Sequence, residues 1–108
     1  MGEDIENDYV IRVYDDLAEI DAAAWNALLA QQPSATPFMR HEYLLAMQQS
    51  GSTGADSGWA PQHLAVFDGD TLIAACPLYL KSHSYGEYVF DWAWADAYQR
   101  HGLRYYPK

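Results

Sequence analysis

Hydrophobic and polar positions alternate along this chain in short, differently spaced runs. Tyr9-Val10-Ile11-Arg12-Val13-Tyr14 is rich in β-branched and aromatic residues and predicts a first strand. Asp21 then predicts a helix cap, with the helix continuing to about Ala30. Trp25, Leu28 and Leu29 fall on one face at helical spacing, and Ile20 and Trp25 stand at the two positions of a hydrophobic staple. Pro33 and Pro37 bracket a loop. A second helix is predicted from about His41 to Gln49, with Tyr43, Leu44 and Met47 on its apolar side and Gly51 as its stop. Ser50 to Gly58 reads as a Gly/Ser-rich surface loop. His63 to Phe67 and Thr71 to Leu80 are two apolar runs about Asp68-Gly69-Asp70, the pattern of a β-hairpin, with Pro77 expected to force a bulge or a free edge. Glu87 to Phe90 predicts a short fourth strand. Asp91 caps a third helix ending near His101 with Gly102 just beyond it, and Arg104-Tyr105-Tyr106 begins a fifth strand.

The predicted order is β-α-α-β-β-β-α-β, an α/β (α+β) chain with a mixed, mostly antiparallel sheet flanked by helices. At 108 residues a single domain is expected, with residues 1–8 as an acidic, frayed tail. Tyr105 and Tyr106 bring large rings to a strand that has barely begun, so the fold is expected to be incomplete and to self-associate through an unfinished sheet edge.

Charge narrows the partners. Fifteen acidic residues face six basic ones, a formal net charge of −9. That field repels phosphate backbones and anionic lipid, and no basic stripe offsets it, so DNA is excluded. The longest apolar run, Leu72 to Leu80, is too short to span a membrane, and the acidic start has no secretory pattern. With Cys76 as the only cysteine, a cytoplasmic setting is expected. Cys76 in an apolar strand reads as an inert core thiol, and Trp25 and Phe38 read as core.

Metal and nucleophile chemistries find little support. His41-Glu42 lacks the second histidine of a zinc-protease helix, because Leu45 stands there. His63, His83, His101 and Cys76 show no ligand spacing. Ser82 and Ser84 flank His83, and neighbours on an extended chain point to opposite faces, so neither serine forms a triad with it.

The most unusual run is Lys81-Ser82-His83-Ser84-Tyr85-Gly86-Glu87-Tyr88-Val89-Phe90-Asp91-Trp92-Ala93-Trp94-Ala95-Asp96-Ala97-Tyr98. Rings and charges alternate in a way a simple core strand does not require. Such a mixture suits a polar ligand, with flat rings for contact and carboxylates as hydrogen-bond acceptors. It equally suits a strand and helix whose rings pack inside while the acids cap. Lys81 can bridge a carboxylate on the surface or hold an anion.

Together with Pro37-Phe38-Met39-Arg40-His41-Glu42, the stretch from Gly58-Trp59 to Leu80, and the closing Gly102-Leu103-Arg104-Tyr105-Tyr106-Pro107-Lys108, this run resembles the FemAB-like (peptidoglycan biosynthesis/recognition) family of the GNAT acyltransferase superfamily. The resemblance runs from about Tyr9 to the end. It implies the N-terminal part of a longer enzyme built from two GNAT-like halves, which transfers an acyl or aminoacyl group to an amine. It also implies acyl-coenzyme A or aminoacyl-tRNA as co-substrate of the parent protein, a small-molecule or peptidoglycan-precursor acceptor, and the remainder of the parent chain as partner.

Gripping a coenzyme A pyrophosphate at a strand-to-helix turn needs glycines, so that backbone N–H groups can approach the phosphates. The corresponding Phe90-Asp91-Trp92-Ala93-Trp94 has none, and Asp91 fills the cap with negative charge. This chain is therefore expected to bind no cofactor itself. The candidate acceptor contacts are Lys81, His83, Tyr85, Glu87, Asp91, Trp92, Asp96, Tyr105 and Lys108, with Lys81 and Lys108 as anion holders and no catalytic base assigned. The rival reading is a non-catalytic module that recognises a sugar or a cationic peptide through the same aromatic-acidic face. A third is a purely structural fragment.

Overall fold

The computed structural model of the chain describes residues 8–85, Glu87 and residues 91–108. The elements follow the order β-α-α-β-β-β-β-α: β1 (Tyr9–Tyr14), α1 (Ala22–Leu29), α2 (His41–Gln49), β2 (Trp59–Pro61), β3 (His63–Asp68), β4 (Thr71–Cys76), β5 (Tyr79–Lys81) and α3 (Trp92–Arg100). This is a mixed α/β chain with antiparallel strands and flanking helices, consistent with a GNAT-like topology.

The strands form two sheets. In the first, β3 lies between β1 and β4 and pairs antiparallel with both. Its hairpin closes with Asp68 opposite Thr71. Gly69 adopts φ +60 while among the described residues no non-glycine residue has positive φ, the pattern of a type II′ turn, whose twist matches that of the strands it joins. The second sheet is β2 paired antiparallel with β5.

Alternation along β3 sets the layering. His63, Ala65 and Phe67 point toward the helices; Ala65 is fully buried and Phe67 packs against the core. Leu17, Ile20, Trp25 and Leu44 complete that core. Asp21 accepts a hydrogen bond from the Ala24 N–H at 2.9 Å, as a helix cap should, and the staple pair Ile20 and Trp25 is buried beneath it. The opposite sheet face stays open, with Ile11 67% and Val13 56% exposed.

Several expectations need correction. The long strand Thr71 to Leu80 is two strands in different sheets. Pro77 has no N–H to continue the ladder, and after it the Gln62 N–H donates to the Leu78 carbonyl at 2.8 Å. The bulge falls earlier, at Ile73, between the pairs Val66–Ala74 and Phe67–Leu72. Of the expected strand Glu87 to Phe90 only Glu87 is described, outside any strand; the rest lies outside the described residues. Arg104 to Tyr106 forms no strand. A single reciprocal pair of backbone bonds joins Lys108 to Lys81, at 2.8 and 2.9 Å, and Pro107 beside it cannot donate to a ladder.

Cys76 is exposed, because it sits opposite Leu64 on the open sheet face while its neighbour Ala75 packs on the core. Phe38 is 64% exposed and meets the Tyr43 ring edge-on. The turn Pro37–Met39 instead aims the Met39 carbonyl inward, where it accepts from Trp25 Nε1 at 2.9 Å.

The Cα radius of gyration is 17.4 Å, above the roughly 13 Å of a compact chain near this length. No residue of α3 is buried, and Trp92 and Trp94 stand half to two-thirds exposed. No helix among the described residues is long and apolar enough to cross a membrane.

Candidate functional site

Three backbone neighbours organise the polar end of the molecule. Trp59 of β2 stands directly opposite Lys81 of β5, and Lys81 pairs on its other side with Lys108. Residues directly opposite in antiparallel pairing share a face, so all three side chains project together. Lys81 Nζ lies 4.2 Å from the centroid of the Trp59 ring and forms an ion pair with Glu87.

Lys108 Nζ is the hub. It donates to Ser84 Oγ at 2.9 Å, lies 2.9 and 3.1 Å from the two Glu87 carboxylate oxygens, and pairs with Asp91 Oδ2. Tyr105 Oη donates to the same Asp91 oxygen at 2.6 Å. The hydroxyls of Ser84 and Tyr106 share a hydrogen bond of 2.5 Å. Two lysines thus balance two carboxylates in a largely enclosed network; the side-chain exposures are 10% for Lys81, 22% for Glu87 and Lys108, and 14% for Asp91. Asp91 Oδ1 is buried and has no hydrogen-bond partner among the described residues.

This geometry shifts Asp91, Glu87, Lys108 and Tyr105. Hydrogen bonds from Lys108 first, with Ser84 and Tyr105, hold the Asp91 carboxyl well below the usual carboxylate range. Those from Lys81 and Lys108 lower Glu87 likewise. Desolvation works against the charge on Lys108, but its bonds to Asp91 and Glu87 together outweigh that and raise it. The bond to Asp91 pushes the Tyr105 hydroxyl up. These groups keep their charges across neutral pH, which suits holding a charged partner and does not suit shuttling a proton.

Of the candidate contacts, the structure brings together Lys81, Glu87, Asp91, Tyr105 and Lys108. Lys81, expected on the surface, is only 8% exposed. Asp91 stands at the N-cap of α3, yet its side chain makes no capping bond; an ammonium and a phenol compete for it more strongly than a backbone N–H. The other candidates lie apart. Asp96 pairs with Arg100 on the exposed face of α3 at 3.1 Å. Tyr85 is 70% exposed and meets the half-exposed Trp92 ring edge-on.

His83 serves as a loop latch. Its Nε2 lies 3.1 Å from the Ser57 carbonyl, and its Nδ1 accepts from the Tyr85 N–H at 3.2 Å, which places the proton on Nε2. Gly58 makes the latch possible. It has φ +82, and a Cβ there would stand 2.3 Å from His83 Nε2.

Sequence reasoning missed Trp59, Ser84 and Tyr106. Trp59 was hidden in a run read as loop and hairpin, and Ser84 carries no signal of its own beside Ser82. Among the described residues, no three His, Cys, Asp or Glu side chains stand close enough to share a metal ion. A cavity of about 420 Å³ lies elsewhere, between α1, the following loop and β4, and none of the network residues lines it.

No curated protein matches the chain. Nor does any solved structure. The model of the FemAB-like family, described as peptidoglycan biosynthesis/recognition, matches residues 16–108, a span that takes in both helices of the core and the whole ionic network. The chain belongs to the FemAB-like family.

Proposed function

We propose that the chain is the N-terminal GNAT-like half-domain of an acyltransferase that moves an acyl or aminoacyl group to an amine, and that it supplies the acceptor-binding side. The family description, peptidoglycan biosynthesis/recognition, supports a cell-wall precursor as the acceptor class. The observation that carries this reading is the environment of Lys108 Nζ. Ser84, Glu87 and Asp91 converge on it as they would on any primary ammonium group. An amine acceptor is protonated at neutral pH, and this is the chemistry that would receive it.

Attack on an acyl group further requires that the amine lose its proton. Asp91 and Glu87, both held below the usual carboxylate range, are poor acceptors of it. They bind and orient in this reading, and the base comes from elsewhere in the parent protein. The donor, acyl-coenzyme A or aminoacyl-tRNA, also belongs to the parent, since the turn before α3 offers Asp91 and Trp92 where a pyrophosphate needs glycine N–H groups.

Calorimetric titration of the chain with acetyl-coenzyme A, and separately with Nα-acetyl-lysine amide as a primary-amine probe, tests the assignment. We expect no saturable heat from the first. The second should give weak saturable binding that is lost in Asp91→Asn. Micromolar binding of acetyl-coenzyme A would place the donor site on this chain, and amine binding unchanged by Asp91→Asn would remove the acceptor role.

A further inference from the structure

We propose that Lys108 is the built-in occupant of the acceptor's amine seat, and that the acceptor which displaces it is an amine bearing a carboxylate, whose anion the freed Lys108 ammonium takes. The inference rests on the amine-binding reading and narrows its substrate class. Lys81 and Lys108 are the chain's two lysines, and they are held differently. Lys81 belongs to β5, in register with Trp59 of β2, and its Nζ lies 4.2 Å from the centroid of that ring. Lys108 belongs to no strand. One reciprocal pair of backbone bonds fixes its main chain, and its side chain is the more exposed of the two. Its main chain can therefore stay in place while the flexible four-carbon stem swings the ammonium out and back. Ser84 Oγ at 2.9 Å, the Glu87 oxygens at 2.9 and 3.1 Å, and Asp91 would then accept from an incoming ammonium the bonds they accept from this one.

Charge balance decides what else the acceptor carries. Lys81 and Lys108 against Glu87 and Asp91 sum to zero, and Gly86, Tyr88, Val89 and Phe90, which lie between the two acids and beside Glu87 in sequence, add no charged side chain. An enclosed network gains only when each charge keeps a partner. A simple amine would take over the carboxylates of Lys108 and leave that ammonium to water, with one positive charge added to the network. An amine that brings its own carboxylate keeps the sum at zero, because the displaced ammonium meets the incoming anion. Lys81 cannot take that part, since Glu87 and the Trp59 ring already hold its ammonium. The net charge of −9 belongs to the whole chain, and exposed charges more than about 8 Å away are largely screened at physiological salt. The acceptor class is therefore an amino acid, or a derivative of one, with both an ammonium and a carboxylate free.

The test titrates ¹³C-lysine-labelled chain with three probes and follows the ε-methylene signals of the two lysines. Nα-acetyl-lysine carries amine and carboxylate, Nα-acetyl-lysine amide the amine alone, and Nα-acetyl-norleucine the carboxylate alone. Both amines should move the Lys108 signal saturably toward that of a solvated lysine, with the Lys81 signal moving less. Nα-acetyl-lysine should bind roughly tenfold more tightly than its amide, the worth of one added charge-assisted contact. Nα-acetyl-norleucine should not saturate. Equal affinity for acid and amide, or a Lys108 signal that stays in place while an amine saturates, would overturn the inference; with the amide still saturating, the amine-binding reading would stand. Binding of the norleucine probe as tightly as the lysine acid would also overturn it. Failure of both amines to saturate at millimolar concentration would remove the amine-binding reading, and this inference with it. All three titrations use the unaltered chain, so none depends on how a substitution folds.

Discussion

The two ends of this molecule are held by different forces. At one end Leu17, Ile20, Trp25, Leu44 and Ala65 exclude water between the first sheet and the helices α1 and α2. At the other, β2, β5 and the C-terminal residues meet around Lys81, Glu87, Asp91 and Lys108, with rings beside the charges and, among the described residues, no buried apolar cluster. Apolar burial is non-directional and tolerates displacement, so the first end is organised by pattern. An enclosed ion network gains only when every partner is in place, because each charge has given up water. The polar end should therefore fail all at once when one partner is lost, and it is the end whose geometry can specify a ligand.

The largest effect expected separates the two ends from the core side. Trp25 is 4% exposed, meets His41 and His63 edge-on at 6.2 and 6.5 Å, and donates to the Met39 carbonyl. Trp25→Ala should cost about 3–5 kcal/mol in urea unfolding. If it costs less than about 1 kcal/mol, the apolar end is not the seat of stability.

Next comes the latch of the polar end. Gly58→Ala puts a methyl group against His83 and forces a positive φ on a residue with a side chain. A loss of about 1–3 kcal/mol is expected. Hydrogen exchange should show the Lys81 and Lys108 amides losing protection while those of β3 keep theirs. Equal loss in both would show that the two ends unfold as one.

The smallest effect is the dependence on pH, and its sign differs from group to group. Asp91 and Glu87 have lowered pKa values when folded, so their stabilisation is complete above their ordinary values of 3.8 and 4.5 and is lost as pH falls below them. Lys108 is raised when folded, so its contribution is complete below 10.5 and is lost as pH rises beyond that. Buried His63 is held down, first by desolvation and then by the charge of His41; its Nδ1 accepts from the Leu78 N–H at 3.3 Å. Its contribution is complete above 6.5 and falls away in acid below that. Amide exchange against pH should therefore loosen the β3–Leu78 contact below about 6.5 while the Lys81–Lys108 pair persists to about 4. The reverse order would show that the charges of the polar end are not held as drawn.

What the sequence determined by itself was everything set by near neighbours. The helices Ala22–Leu29 and His41–Gln49, the Asp21 cap, the Asp-Gly hairpin and the aromatic-acidic run rest on periodicity and turn chemistry within a few residues. The family likeness was legible for the same reason, because it rests on contiguous motifs. Only the tertiary structure decided that Pro77 hands the chain from one sheet to another, that β2 exists to receive it, and that Phe38 and Cys76 face solvent. It alone decided that Lys108 returns to Lys81 across 27 positions and turns Asp91 from a helix cap into an ion-pair partner. Those outcomes depend on which of several possible partners a strand edge or a charge meets, and pairing energies between distant residues leave no periodic trace in the chain.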